Sequence, residues 1–134
     1  MNKKDPVRSA EFTKLAIEAL ESRKAIDIRI IDITEVSVLA DYFVICSADT
    51  NTQVKALTGS VRAKVKEYFE RIPAGEENDL KNRWNLLDYG DVIVHILHKE
   101  ERETYAIEKF WNHALRISQE KWMELSKEYS KYES

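Results

Sequence analysis

Catalytic or metal-binding chemistry in this sequence would have to be assembled from paired aspartates, three histidines and a single cysteine. Metal-dependent nucleotidyl transfer needs two acids one residue apart on a strand behind a Gly-Ser turn, so that both reach the same metal ions. Asp27 and Asp32 are five apart, which sets them on opposite faces of a strand, and no Gly-Ser precedes them. Asp88 and Asp91 flank Tyr89-Gly90, a turn position where aspartate is favoured for conformational reasons. His95 and His98 are three apart on a strand, point to opposite faces and cannot share a metal ion. His113 stands alone on a later helix. Cys46 ends the apolar run Tyr42-Phe43-Val44-Ile45-Cys46 and reads as a small buried hydrophobe, not a nucleophile. No serine occupies a Gly-flanked elbow, and three dispersed glycines build no phosphate loop. The spacing therefore supports neither an enzyme nor a metal or cofactor site.

What remains is concentrated in residues 83–111, RWNLLDYGDVIVHILHKEERETYAIEKFW. Trp84 to Asp88 and Asp91 to His98 are rich in branched and aromatic residues, and Gly90 can supply the positive φ of a tight hairpin. With Tyr89 and Gly90 as a two-residue turn, Asp88 would face Asp91, Leu86 would face Ile93 and Trp84 would face His95. Side-chain alternation then gathers these residues and Leu97 on one face, and Leu87, Tyr89, Val92, Val94, Ile96 and His98 on the other. The second face is continuously aliphatic and suits a core. The first mixes Trp, Leu and Ile with carboxylates and an imidazole, the composition of a protein-binding patch.

The elements that must position this hairpin follow from periodicity. Phe12, Leu15, Ala16, Ala19 and Leu20 form the stripe of a helix over 7–23, with Asp5-Pro6 or Ser9 at its start. Ile26, Ile28 and Ile30 mark a strand over 25–33, and the apolar run over 41–47 a second strand, buried on both faces. Their short link argues that these two are antiparallel or separated neighbours. Thr50 with Gln53 is a capping-box pattern for a helix reaching Arg71. Residues 73–82 read as a loop and Lys99 begins an acidic helix. The order αββαββα predicts a single mixed α/β (α+β) domain over 1–111, a four-stranded sheet with flanking helices.

Beyond it, 112–134 reads as one amphipathic helix. Leu115, Trp122 and Tyr129 recur at seven, as do Trp111, Ser118, Leu125 and Tyr132. It would either fold back on the domain or pair two copies.

Bulk properties agree with a soluble protein-binding domain. The chain of 134 residues is 43% hydrophobic and 34% charged, enough apolar residue for one real core. A net charge of −3 speaks against general affinity for nucleic acid, DNA included. One cysteine makes no internal disulfide and fits a reducing compartment, and no run nears bilayer-spanning length. Without an apolar signal region at its start, the chain is expected in the cytoplasm.

Four blocks, in order, resemble one family. Leu39-Ala40-Asp41-Tyr42-Phe43-Val44-Ile45-Cys46-Ser47 is the first and Gln53-Val54-Lys55-Ala56-Leu57 the second. The third runs from Trp84 through Asp88, Tyr89, Gly90 and Asp91 to His95; the fourth is Glu101-Arg102-Glu103-Thr104-Tyr105-Ala106-Ile107-Glu108-Lys109-Phe110-Trp111. Together they are similar to the ribosomal silencing factors (RsfS, Iojap, YbeB) over about residues 9–111. The resemblance implies a fold related to nucleotidyltransferases without their catalytic residues. It also implies binding to ribosomal protein fourteen of the large subunit, which blocks subunit joining and represses translation when nutrients are short, and homodimers. The family's characteristic surface carries over to Asp41, Tyr42, Trp84, Leu86, Asp88, Tyr89, Asp91, His95, Tyr105 and Trp111. The chain departs from the family pattern at Asn51-Thr52, where Ser and Arg are usual, at Gly75-Glu76, where Glu-Gly is usual, and at Ala106, where Asp is usual. Two other readings are a divergent nucleotidyltransferase-like enzyme and a dimeric scaffold organised by the C-terminal heptads.

Overall fold

A computed structural model describes residues 6–34, 40–105 and 115–117. The apolar runs that follow Asp41 and Asp91 form two central strands, β2 (Tyr42–Ala48) and β5 (Val92–His98). They pair in parallel, Tyr42 against Val92 through Ala48 against His98. Each is buried at all but its second residue, as strands covered on both faces must be. β1 (Ile26–Asp32) lies antiparallel to β2, and β6 (Leu115–Ile117) antiparallel to β1. On the other side β4 (Trp84–Asp88) pairs antiparallel with β5, and β3 (Gly75–Asn78) with β4. The described residues thus form a six-stranded mixed sheet in the order β3-β4-β5-β2-β1-β6.

Two helices, α1 (Pro6–Ser22) and α2 (Asn51–Phe69), cover one face of the sheet. Their stripes, Phe12, Ala16, Ile17 and Leu20 with Val54, Leu57, Val61 and Val65, meet Val44, Cys46, Leu87, Val92, Val94 and Ile96 in the main core. The other face holds a smaller cluster of Ile31, Ile33, Ala40, Ile45 and Leu97, with Phe43, Trp84 and Ile93 at its margin. A short helix, α3 (Lys99–Tyr105), follows β5 directly.

Thr50 caps α2 as its sequence predicts: its backbone is extended and its hydroxyl accepts the Gln53 N–H at 3.1 Å. The Gln53 side chain does not return to Thr50. It donates to the Arg23 carbonyl and ties the start of α2 to the end of α1. Glu70 adopts the left-handed conformation (φ 55°) and ends α2 at Phe69, which frees Arg71 to turn towards the hairpin.

The mixed α/β domain expected from the sequence is the one found, with β1 and β2 antiparallel neighbours. Three details are corrected. Gly75–Asn78, expected within a loop, is an edge strand; its Gly-Glu-Glu-Asn sequence shows no apolar alternation because little of it is buried. Leu115–Ile117, expected in a helix, is a strand, its apolar-polar-apolar triplet lying along the edge of β1. The remaining heptad positions, Trp111, Ser118, Trp122, Leu125, Tyr129 and Tyr132, lie outside the described residues.

The third correction is the hairpin register. Tyr89 N–H donates to the Val92 carbonyl at 3.0 Å, so Gly90 and Asp91 form the turn. Gly90 takes φ 90°, and its N–H is held by Asp88 Oδ1 at 2.8 Å. Moving the turn by one residue shifts every pairing by two: Leu86 faces His95, Trp84 faces Leu97 and Asp88 faces Ile93. Because the shift is even, the division into two faces survives.

Candidate protein-interaction face

Strand register alone sets out the face away from α1 and α2. Glu77, Leu86, His95 and Ile45 form one cross-sheet row, and Asp88, Ile93, Phe43 and Ile31 the next. Trp84 lies opposite Leu97. Burial falls away along these rows: Ile31, Ile45 and Leu97 are fully buried, Phe43, Trp84, Leu86, Asp88 and Ile93 are partly open, and Glu77 is exposed. The open end is therefore the β3–β4 end. There Glu77, Asn78, Asp79, Trp84 and Leu86 line a shallow depression of about 370 Å³.

His95 sits beneath this open end at 7% exposure. Its Nδ1 accepts the Trp84 indole N–H at 3.2 Å, and the edge of the pair is closed by Phe43, whose ring centroid lies 5.1 Å from the imidazole. Burial pulls the imidazole down to about 4, so it is neutral at physiological pH. Its Nε2 is buried without a hydrogen-bond partner among the described residues.

Of the other residues expected at the surface, Asp41, Tyr42 and Tyr89 are buried, at 0%, 6% and 2% exposure. Tyr42 and Tyr89 belong to the helix-covered core. Tyr89 packs on Phe12 (centroids 4.7 Å apart), and burial pushes its phenol up to about 12. The Arg71 guanidinium lies 4.9 Å from the Phe12 ring and 5.9 Å from the Tyr89 ring, and donates to the Tyr89 carbonyl. Tyr105 is the last residue of α3, and Trp111 lies outside the described residues.

A pairing that spacing in the sequence did not show joins Asp41 and Asp91. The two residues precede the parallel central strands, and the Asp91 carbonyl accepts the Asp41 N–H at 2.7 Å. Ser9 Oγ on α1 reaches Asp41 Oδ2 at 2.5 Å and Asp91 Oδ2 at 3.2 Å. Arg71 Nη2 completes the set on Asp91 Oδ1 at 3.2 Å. The local signal available was an aspartate immediately before each apolar strand; only the parallel pairing brings them together. This brace is closed to solvent at Asp41 and occupied by Arg71 at Asp91, so it reads as architecture.

The remaining chemistry-bearing residues are separated. Asp27 pairs with Arg29 at 2.7 Å and Arg102 at 3.4 Å, while Asp32 accepts both N–H and hydroxyl of Thr34. His98 Nδ1 accepts the Glu100 N–H at 3.2 Å. Among the described residues no three His, Cys, Asp or Glu side chains are grouped to hold a metal ion. Glu100 and Glu101 are held by Arg83 at 3.1 and 2.7 Å, which leaves Glu77, Asp79 and Asp88 as the acids bordering Trp84 and Leu86.

A partly open Trp-Leu surface bordered by acids is the kind of feature by which one protein recognises another. Comparison with known proteins gives this face its setting. The family model described as ribosomal silencing factor during starvation, RsfS, matches residues 6–134. The ribosomal silencing factor RsfS of Bacillus subtilis is 38% identical over 101 residues, 75% of this chain and 85% of that protein. RsfS of Chromobacterium violaceum is 42% identical over 101 residues, covering 75% and 82%. A crystal structure of a protein from Chromobacterium violaceum aligns with a TM-score of 0.73 at 41% identity, over 76% of this chain and 84% of that one. Matched along most of its length and in its fold, the chain belongs to the ribosomal silencing factor family.

Proposed function

We propose that this protein binds the large ribosomal subunit through ribosomal protein fourteen of that subunit and, once bound, stands where the small subunit would dock. It represses translation by obstruction when nutrients are short and performs no covalent chemistry. The observation that carries this reading is a Trp84–Leu86 surface, open at one end and bordered by Glu77, Asp79 and Asp88, in a chain of this family. Trp84 and Leu86 supply the apolar anchor. The carboxylates accelerate encounter with a basic ribosomal protein more than they deepen affinity.

Within this reading Trp84, Leu86 and Asp88 touch the partner, and the family resemblance adds Tyr105 and Trp111 to the contacts. Asp41, Tyr42, Tyr89, Asp91 and His95 act from beneath, fixing the strands and the indole. The protein works in the cytoplasm as a homodimer; because β6 pairs with β1, the domain reaches past residue 111, and the residues that follow β6 serve that dimer. Light scattering from purified subunits tests the obstruction. Protein added to large subunits before small subunits should lower the joined fraction, and protein added after joining should act more slowly. Unchanged joining at saturating protein would contradict the proposal.

A further inference from the structure

β3 ends the described sheet on the side of Trp84 and Leu86, and Glu77, Asn78, Asp79 and Leu80 beside it are exposed. Asp79 N–H donates to the Trp84 carbonyl at 3.3 Å and Ala74 N–H to the Asp88 carbonyl at 2.8 Å. In the alternation of an antiparallel ladder, the backbone of Gly75 and Glu77 then faces β4, and the N–H and C=O groups of Glu76 and Asn78 face outward. Natural sheets blunt such an edge with short, charged strands, and β3 is four residues long with two glutamates. It is nevertheless flanked by the two most exposed large apolar residues among those described, Ile72 (72%) three positions before it and Leu80 (99%) two positions after it.

We infer that β3 is a strand-addition edge, and that its occupant is an extended, basic segment of the large-subunit partner, laid beside Gly75–Asn78 as a seventh strand. This rests on the ribosome-binding reading above and specifies how that surface is engaged. Main-chain bonds to Glu76 and Asn78 provide sequence-tolerant affinity. Side-chain alternation sets the chemistry of the incoming strand. The position opposite Glu77 shares a face with Leu86 and Trp84 and calls for Lys or Arg, with Asp79 adding to the same field. The helix-side carboxylate, Glu76, is already engaged by Arg62 at 2.7 Å and Asn78 at 2.5 Å. At Gly75 there is room: even an added Cβ would meet nothing nearer than Asp88 Cβ at 3.8 Å, so a large partner side chain can lie across it.

A second copy of this chain is a poor occupant. A two-fold antiparallel β3–β3 pairing centred on Glu76, Glu77 or Asn78 sets Glu76 against Glu76, Glu77 against Glu77 or Glu77 against Asp79, and like charges directly opposite are destabilising.

The test uses the full chain and purified large ribosomal subunits. Asn78→Pro removes one outward N–H, and Glu77→Lys reverses the facing charge without touching the backbone. Each should weaken binding by about tenfold or more while thermal midpoints stay within about 3 °C of wild type. Hydrogen exchange over residues 74–79 of wild type should slow on binding. Wild-type affinity in both variants, or unchanged exchange over 74–79 in the complex, overturns strand addition and leaves ribosome binding intact. Protection that grows with protein concentration in the absence of ribosomes overturns the choice of occupant and names a second copy. Wild type that fails to bind large subunits at all overturns the parent reading and this mode together.

Discussion

Trp84 donates its indole N–H to Nδ1 of His95 at 3.2 Å, and that bond decides where the histidine keeps its proton. With Nδ1 accepting, a neutral ring carries its hydrogen on Nε2, in a place where no described residue receives it. The imidazole serves as an acceptor that orients the indole, at the expense of an unsatisfied donor beneath it. Folded, it titrates at about 4 against an ordinary 6.5, so as pH falls the unfolded chain takes the proton first. Stability associated with His95 should be complete above pH 6.5 and decline steadily to pH 4, by up to about 3 kcal/mol. Urea melts across this range should show the slope in wild type and a flatter profile in His95→Gln. Parallel profiles would mean that the histidine is not held neutral.

The brace of Ser9, Asp41, Asp91 and Arg71 should behave as one unit. Ser9→Ala removes the hydroxyl shared by the two carboxylates, and Arg71→Ala removes the cation from both Asp91 and the Phe12–Tyr89 stack. Each should lower stability by about 1–3 kcal/mol. The double mutant should lose less than the sum, because both act on Asp91. Denaturant unfolding of the two single variants and the double variant gives the coupling. Strict additivity would show that Ser9 and Arg71 act separately.

Arg102, only 8% exposed, anchors α3 against the far end of β1. It donates to the Ile26 and Asp27 carbonyls and to Ser47 Oγ, and pairs with the Asp27 carboxylate at 3.4 Å. Those carbonyls lie where β1 departs from regular pairing and Asp27 adopts φ 48°. A planar fork suits several acceptors in a way an ammonium does not. Arg102→Met should destabilise by about 2–4 kcal/mol, and Arg102→Lys should restore less than half of that, both read from thermal and urea unfolding. Full rescue by Lys would leave charge alone as the explanation.

Cys46 supplies a chemical clock for global opening. Its side chain is completely buried in the main core, and burial pushes the thiol up to about 12 against the opposing pull of Arg102. At pH 8 a disulfide reagent should label native protein only as fast as it unfolds, and label denatured protein at once. Rapid stoichiometric labelling under native conditions would show that the thiol is accessible.

How far the sequence disclosed this molecule depends on the range over which each feature is specified. The Thr50 cap, the stripes of α1 and α2 and the buried runs of β2 and β5 depend on neighbours within a few residues, and all are found. The two faces of the hairpin also emerged, because alternation survives an even slip, although the turn lies at Gly90-Asp91 and not at Tyr89-Gly90. The Asp41–Asp91 brace did not emerge, since it exists only after β2 and β5 pair across the whole of α2, β3 and β4. β3 was hidden for the opposite reason: an exposed edge strand imposes no apolar period on Gly75–Asn78. Tyr42 and Tyr89 were grouped with the surface by resemblance, whereas their burial follows from sheet face, which places them under α1 and α2.

The most direct measurement is sedimentation of wild type and Trp84→Ala with purified large ribosomal subunits at low and physiological salt. Wild type should co-migrate at both, and the variant, folded as judged by circular dichroism, should lose at least about tenfold in affinity, as truncation of a central aromatic anchor does. Wild type that stays in the supernatant at low salt, or Trp84→Ala that binds as tightly as wild type, would contradict recognition of the ribosome through this face.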